Sequence, residues 1–350
     1  MIAWLPRIIQ KLRTSRKVSV ATLAGLLLMA IFGNATTFYI FDGASNPDIT
    51  YWDSIWYSII SVTTIGYGDI SSSSVGARIG TIFFIVILGL SAFSAFLGLL
   101  VDGMMNLNFR EMHGLSKVYC KDHILLIHFP DSIRVEKIIR ELREDPQYKD
   151  TEIVLVNDKI DMLPFDISGV AFVKGSPLQL ETLERANLRD AKVAIILCTS
   201  QEDSGSDGKV ASVLTIVEHI HPDIKTIAEC MDKRHEILFR STNCDSVVYS
   251  NQIVNNLLVQ EAQDSGVSSL ITTLTDNGQG FTLYSTEVTS QSETTYRDLS
   301  KQLSGMGTRL VSVERQDVQI LDWDDLKTQL GDRIIYIGRQ RESWEYLRTR

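Results

Sequence analysis

One short stretch decides the fold of this chain: Thr63-Thr64-Ile65-Gly66-Tyr67-Gly68-Asp69. It lies between two long runs that contain no charged residue, at positions 18–41 and 79–101. At about 1.5 Å of rise per helical residue, each run can cross the roughly 30 Å apolar core of a bilayer. The first run also exceeds the about 7–15 apolar residues of a cleavable signal sequence, which disfavours that alternative. We therefore predict an outer membrane-spanning helix at 18–41 and an inner one at 77–106.

The residues around the motif predict a loop that enters the membrane without crossing it. Positions 51–62 allow only about three helical turns, and the glycine-rich motif follows directly. Irregular backbone at membrane depth is tolerated where it lines a water-filled path. Gly66 and Gly68 can adopt backbone angles that are closed to other residues, so successive carbonyls can turn toward one axis. We assign positions 49–70 to a pore helix and such a carbonyl-lined loop.

The motif resembles the pore signature of potassium channels, with Ile65 in place of the commoner valine. The resemblance implies that K⁺ is the permeant ion and that carbonyl oxygens replace its hydration shell. The groups implied to hold K⁺ are the carbonyls of Thr64, Ile65, Gly66 and Tyr67 and the hydroxyl of Thr64. We expect Gly68 to complete this selectivity filter, and Thr63 and Asp69 to support it.

The number of spans bears on assembly and gating. Two spans and one loop cannot enclose an axis, so we expect a homotetramer. Gly89 lies in the inner span, where a glycine lowers helix stability by about 1 kcal/mol and permits bending. The alternative role for this glycine is close helix packing through small residues; the family resemblance favours a gating hinge. No arginine-rich span of the voltage-sensor kind precedes the pore, so we expect gating by a ligand.

The distribution of charge predicts the orientation in the membrane. Five basic residues precede the first span, and between the spans only Arg78 is basic. By the positive-inside rule, both termini are cytoplasmic, including the segment 1–17, and the chain is a multi-pass protein of the cell membrane. The net charge of −9 argues against a nucleic-acid partner.

The second part of the chain alternates short apolar strands with amphipathic helices. Strands are predicted at 123–128, 152–157, 170–173, 193–197, 225–228 and 246–248, and the helices between them at 132–143, 178–186, 209–219 and 235–242. This alternation predicts a parallel, doubly wound, Rossmann-like sheet. We divide this part into a linker at 107–121, an N-lobe at 122–250, a crossover helix at 251–266 and a C-lobe at 267–350.

This order also resembles the RCK domain, the regulator of K⁺ conductance. The likeness is carried by Lys174-Gly175-Ser176-Pro177, by the residues from Leu180 to Leu188, by Thr226-Ile227-Ala228-Glu229, and by the strand and glycine that end at Gly338. The implied fold is a two-span pore-loop channel fused to an α/β Rossmann-like RCK domain with a small α+β C-terminal lobe. The resemblance implies that RCK domains pair, as an eight-domain gating ring in relatives, and pull on the inner helices through residues 106–121.

The nucleotide signature of such folds is missing. A dinucleotide site needs G-x-G-x-x-G after the first strand, so that bare backbone can approach a pyrophosphate. Those three places hold His128, Pro130 and Ile133. Asp158 remains at the end of the second strand as a candidate nucleotide contact, with the alternative of a turn cap. We therefore do not expect a bound nucleotide.

A divalent cation such as Ca²⁺ is the other candidate gating ligand. At the places where calcium-gated relatives carry carboxylates, this chain has Cys198, Glu229 and Met231, so only one carboxylate remains. A displaced site could use oxygen ligands from the acidic loop 201–208 and its surroundings. The candidate residues are Glu202, Asp203, Asp207, Glu229 and Asp232. The alternative, which we favour, is a solvated acidic loop.

Cysteine usage and missing motifs limit the other functions. Cys198 and Cys230 end strands expected to be neighbours; a thiol switch or a soft-metal site is one interpretation of this pair, but two buried structural cysteines fit better. A membrane-anchored, nucleotide-dependent redox sensor would need the glycine signature and a catalytic acid–base set. A regulatory subunit of a K⁺ transporter would not carry its own filter. The sequence therefore predicts a channel and not an enzyme.

Overall fold

The computed structural model describes residues 16–349, apart from residues 45, 47, 204 and 291–293. The chain forms two compact units, Met1–Phe109 and Arg110–Arg350. Most of the predicted N-terminal segment 1–17 lies outside the described residues.

The first unit is helical. Helix α1 spans Arg16–Phe38 and continues as π-helical turns through Tyr39–Gly43, and helix α2 spans Tyr51–Val62. Helix α3 is continuous and consists of Val75–Gly80, a π-helical stretch at Thr81–Gly89, and Leu90–Met112. By length and composition, Val20–Gly43 and Val75–Met112 are long and apolar enough to span a membrane.

The inner helix is longer than predicted. We expected it to end at residue 106, but it ends at Met112, so the predicted linker 107–121 begins as helix. The predicted end was placed where hydropathy falls, after residue 106. Residues with high helix propensity continue through Glu111, so the helix itself continues beyond the apolar run.

The second unit begins with a six-stranded parallel sheet in the order β3-β2-β1-β4-β5-β6. The strands are β1 His123–Ile127, β2 Ile153–Asn157, β3 Val170–Lys174, β4 Ala191–Ile196, β5 Lys225–Cys230 and β6 Ser246–Tyr249. Helices α4 Ser132–Glu144, α5 Leu180–Arg185, α6 Ser206–Ile220 and α7 Glu236–Phe239 lie between them in sequence. The neighbouring interior strands β1 and β2 are buried along their whole length, as near-continuous apolar runs in parallel sheets are. The predicted doubly wound sheet is confirmed.

The predicted crossover segment 251–266 contains one helix, and a second helix follows it. Helix α8 spans Ser250–Gln263, and α9 spans Val267–Thr275. Gly266 separates them in a left-handed conformation (φ 100°), and the carboxylate of Glu261 accepts the N–H groups of Gly266 and Ser268, each at 2.8 Å. The glycine thus ends the crossover segment that we placed at 251–266 with a turn into a second helix.

The C-lobe contains an antiparallel sheet in the order β7-β10-β8-β9. Its elements are β7 Thr282–Glu287, α10 Tyr296–Gly305, β8 Arg309–Arg315, β9 Val318–Ile320, β10 Arg333–Gly338 and α11 Trp344–Thr349. Tyr296 and Tyr336 are fully buried in its core. The lobe is the small α+β fold that the sequence predicts.

Candidate ion pathway and regulatory sites

The pore loop begins where helix α2 ends and has an alternating backbone. Thr64, Gly66 and Gly68 have φ of 62°, 54° and 78°, whereas Ile65 and Tyr67 between them do not adopt positive φ. A positive φ is uncommon for a β-branched residue such as Thr64. Backbone strain of this kind is typical of functional sites, where the surrounding structure maintains it. The alternation allows successive carbonyls of the loop to face the same side.

Helix α2 fixes this loop at its base. The N–H groups of Ile65 and Gly66 both donate to the carbonyl of Ile60, at 3.0 and 3.2 Å, and the N–H of Thr64 donates to Ser61 at 3.1 Å. The hydroxyl of Thr63 turns back to the carbonyl of Ile59 at 2.8 Å. The hydroxyl of Thr63 therefore contacts the last turn of α2.

The outer part of the loop is held by side chains of α2. The indole Nε1 of Trp56 donates to Asp69 at 3.1 Å, and its ring stacks on Tyr67 with centroids 6.0 Å apart. The hydroxyl of Tyr57 lies 3.0 Å from that of Ser72, which in turn lies 2.9 Å from the hydroxyl of Thr81 on α3. Ile65 and Tyr67 stay largely exposed in the single chain.

The sequence analysis missed two supporting residues on the outer helix. Asp42 is buried, and its carboxylate accepts the N–H groups of Ser73 and Ser74, each at 2.8 Å, just before α3 begins. The amide of Asn34, also buried, donates to the hydroxyl of Ser58 on α2 at 2.9 Å. Polar side chains within apolar spans are the signal that could have revealed both.

Gly89, the predicted hinge, lies in a close contact between helices. A Cβ at this position would come within 2.8 Å of the carbonyl oxygen of Phe84 and of Cγ2 of Val62, and 3.4 Å from Cβ of Ala30. It also lies where the π-helical stretch gives way to regular α-helix. The structure thus provides the close packing that we weighed as the alternative, at a point where the hydrogen-bond pattern of α3 changes.

The place of the first nucleotide-binding glycine is taken by a histidine. His128 keeps the left-handed backbone (φ 73°) but is buried, with Nδ1 2.8 Å from the carbonyl oxygen of Leu197. Burial lowers the pKa of His128, so its ring is neutral at physiological pH. The ammonium of Lys159 donates to the carbonyl of Thr199 at 2.8 Å, joining the ends of two strands, while Asp158 is exposed. The imidazole of His128 therefore occupies the space beside the turn after β1. In a dinucleotide site, a glycine at this place leaves that space open to a phosphate.

Glu229, the carboxylate kept at a calcium-binding position, is paired within the protein. It is 5% exposed, and Nη2 of Arg134 donates to its Oε1 at 2.7 Å while the N–H of Cys198 donates to its Oε2 at 2.9 Å. Burial alone would raise the pKa of Glu229, but these hydrogen bonds outweigh it and hold the pKa below its usual range. A guanidinium thus neutralises the carboxylate that a cation would need.

The other candidate carboxylates have separate partners. Asp203 accepts from Lys209 at 2.7 Å, which lowers its pKa to about 2, and Asp232 accepts from Arg234, which lowers its pKa to about 2 as well. Glu202 is exposed. Within the described part of the chain, no group of three or more His, Cys, Asp or Glu side chains could hold a metal ion.

Asp207 is not in a loop, as we had placed it. Helix α6 begins at Ser206, three residues before the predicted start, and buries Asp207 in its first turn. Its carboxylate accepts the N–H groups of Met231 and Asp232, at 2.8 and 3.0 Å, and lies 2.8 Å from Nδ1 of His235. The residue joins α6 to the end of β5.

The buried cysteines are poorly suited to redox chemistry. Burial raises the pKa of Cys198 to about 11 and that of Cys230 to about 12. Because the thiolate is the reactive form, the raised pKa lowers the reactivity of both thiols at neutral pH. This favours the structural role that the sequence analysis assigned to them.

Comparisons with known proteins agree with this architecture. Residues 25–106 match the family model of an ion channel, and residues 119–228 match that of the calcium-activated potassium channel slowpoke-like RCK domain. YugO of Bacillus subtilis, a potassium channel protein by its assigned name, is 23% identical over 241 residues, which cover 68% of this chain and 70% of YugO.

Two further proteins are similar to part of the chain. The calcium-activated potassium channel slo-1 of Caenorhabditis elegans is 25% identical over 221 residues, which cover 60% of this chain and 19% of slo-1. The solved human SLO3 gating ring is alike in fold, with a TM-score of 0.50, 13% identity and coverage of 62% of this chain and 44% of that one.

The matched families and relatives are channels rather than enzymes, and a channel with two candidate spans is a membrane protein. The chain accordingly combines a two-span ion-channel domain with an RCK domain, the architecture of prokaryotic-type potassium channels.

Proposed function

We propose that the protein is a ligand-gated, K⁺-selective channel whose filter is formed by residues 64–68 of four identical chains. The observation that carries this proposal is the alternating backbone at Thr64, Gly66 and Gly68. A dehydrated K⁺ needs several oxygen atoms around it, and one loop of this length can supply only one side of such a cage. Fourfold assembly supplies the rest.

The roles of the loop residues follow from their contacts. The carbonyls of residues 64–67 and the hydroxyl of Thr64 bind K⁺, while Gly68 completes the filter. Thr63 and Asp69 support it through their hydrogen bonds to Ile59 and Trp56. Gly89 provides both close packing and, with its missing side chain, the point at which the inner helix bends.

Regulation comes from the second unit of the chain. We place residues 122–250 and 267–350 in a cytoplasmic RCK domain that pairs with its copies in a gating ring, with both termini on the cytoplasmic side. The presence of an RCK domain supports gating by a ligand. The pairing of Glu229 with Arg134 argues for a ligand other than a divalent cation at that position.

Two measurements test this proposal. Native mass spectrometry of the detergent-solubilised protein should give four copies; a monomer or dimer would contradict the proposed pore. Single-channel recording in planar bilayers, with Ca²⁺, Mg²⁺, Na⁺, NAD and ADP added singly to the side of the RCK domain, should show that at least one of them changes the open probability. A conducting channel that ignores all five would contradict gating by these ligands.

A further inference from the structure

The chain that leaves the inner helix is fixed at once to the RCK domain. Gly114 closes the helix in a left-handed conformation (φ 62°), with its N–H donating to Glu111 at 3.0 Å and the N–H of Leu115 donating to Arg110 at 2.8 Å. These two bonds are the usual end of a helix with a glycine cap. The segment that we predicted as a linker therefore has no slack before residue 114.

The carbonyl oxygen of Gly114 is the point of attachment. It accepts the N–H of Lys174 at 2.9 Å and Nη1 of Arg185 at 2.9 Å. Nη2 of the same guanidinium donates to the carbonyl of Lys174 at 2.6 Å. Arg185 therefore holds together the end of the inner helix and the end of strand β3, with the planar fork that only arginine offers.

The backbone at this point admits no side chain. A Cβ on residue 114 would lie 2.4 Å from the backbone nitrogen of Lys174, and a Cβ on Gly175 would lie 2.4 Å from Oγ1 of Thr182 and 3.0 Å from Nη2 of Arg185. Two glycines thus bring the two segments close enough for the guanidinium to bridge them.

The residues after Leu115 make further hydrogen bonds to the end of α5 and to the turn that follows it. The N–H of Val118 donates to the carbonyl of Arg185, and the amide of Asn187 donates to the carbonyl of Cys120, each at 2.8 Å. Between Gly114 and Val118, the residues Ser116 and Lys117 border a cavity of about 810 Å³. Apolar packing against the core of the sheet begins only at Val118 and Cys120, so hydrogen bonds to Arg185 fix the start of the segment.

We propose that Arg185 is a positioning residue for gating: with Gly114 and Lys174 it forms a rigid joint through which a movement of the β3 and α5 edge of the sheet reaches the end of the inner helix. This inference rests on the proposed function, because it needs a channel whose open probability responds to a ligand of the RCK domain. A joint without slack transmits a displacement directly, whereas a flexible linker would absorb it.

The test uses the full chain in planar bilayers. Arg185→Met keeps an unbranched apolar side chain but removes the guanidinium with both donors, and an inserted Gly-Ser pair after His113 lengthens the segment while leaving Arg185 in place. The control is Arg140→Met, which removes an exposed arginine paired within its own helix with Glu136. Each variant is recorded with whichever of Ca²⁺, Mg²⁺, Na⁺, NAD or ADP changes the open probability of the wild type. Amide hydrogen exchange at Lys174 and Val118 reports whether the joint has opened.

We expect Arg185→Met and the insertion to reduce the response of the open probability by on the order of tenfold, with the K⁺ conductance of the open channel unchanged. Arg140→Met should respond as the wild type does. If Arg185→Met shows faster exchange at Lys174 but an undiminished ligand response of the open probability, the proposed joint is wrong. An undiminished ligand response after the insertion would contradict it as well. A wild type that answers none of the ligands would instead refute the proposed function, which distinguishes the two failures.

Discussion

The guanidinium of Arg134, on the first turn of α4, lies 2.7 Å from the carboxylate of Glu229 at the end of β5. The same guanidinium approaches Sγ of Cys198 at 3.3 Å. Three segments at the carboxyl edge of the sheet are thus tied by one half-buried guanidinium, at a position where relatives were expected to use a metal ion.

Removing this cation should destabilise the protein strongly. Arg134→Met leaves a buried, unpaired carboxylate, which typically costs about 3–5 kcal/mol of unfolding free energy. For a unit of this size that lowers the melting temperature by roughly 10 °C, measured by thermal denaturation in detergent at pH 7. The double variant Arg134→Met with Glu229→Met should recover most of the loss. Arg140→Met, which removes an exposed pair, should change the melting temperature little.

The effect should also depend on pH with a definite sign. In the wild type the pKa of Glu229 is lowered, so the pair contributes stability above the unfolded pKa and loses it as the pH falls through the folded pKa. In Arg134→Met, burial raises the pKa of Glu229 instead, and protonation relieves the penalty. The difference in melting temperature between wild type and variant should therefore shrink from pH 7 to pH 4. A constant difference would contradict the ion pair as its cause.

The acidic residues after β4 should differ sharply in importance. Glu202→Gln with Asp203→Asn should leave any response to Ca²⁺ unchanged, since one carboxylate is exposed and the other is held by Lys209. Asp207→Ala should lower the unfolding free energy by about 2 kcal/mol, because the partly buried N–H groups of Met231 and Asp232 lose a charged acceptor. Planar-bilayer recording and thermal denaturation measure the two effects. If the Glu202→Gln and Asp203→Asn variant loses a Ca²⁺ response, the loop does bind a cation.

The buried thiols should resist modification in the folded protein. Because burial raises the pKa of Cys198 to about 11 and of Cys230 to about 12, iodoacetamide at pH 7.5 should not alkylate either residue within an hour. Mass spectrometry of tryptic peptides gives the extent of labelling, and the protein unfolded in guanidinium serves as the positive control. Rapid labelling of the native protein together with a change in K⁺ flux would instead establish a thiol switch.

The packing at Gly89 yields a test that separates its two roles. Gly89→Ala places a methyl group against Val62, and overpacking of this kind costs about 1–3 kcal/mol. If close packing is the dominant role, Val62→Ala should partly restore the thermal stability and the open probability of Gly89→Ala. If the glycine serves chiefly as a hinge, the second substitution should restore the stability alone.

The sequence was sufficient for the architecture and for the pore motif. Uncharged runs of sufficient length predicted both spans, and the alternation of apolar strands and amphipathic helices predicted the parallel sheet in the second unit. These features depend on local composition and periodicity, which a single sequence displays directly. Element ends were less accurate: the inner helix continues to Met112, and α6 starts early enough to bury Asp207.

The contacts of the regulatory unit could not be predicted in the same way. Arg134 and Glu229 are separated by 95 positions, and Gly114 and Arg185 by 71, so neither pair leaves a local pattern in the sequence. Asp42 and Asn34 likewise find their partners across helices. Such pairs follow from the topology, which brings distant segments to one edge or one interface, and only the structure shows them.

The most direct test of the account is the ion selectivity of the loop at residues 64–68. Reversal potentials in bilayers with K⁺ on one side and Na⁺ on the other should show strong preference for K⁺ in the wild type. Gly66→Ala should lose that preference, since its φ of 54° strains any other residue by about 1–2 kcal/mol, while Gly98→Ala, a helical position with open space around it, should keep it. Equal permeability of the wild type to K⁺ and Na⁺ would contradict the proposed filter.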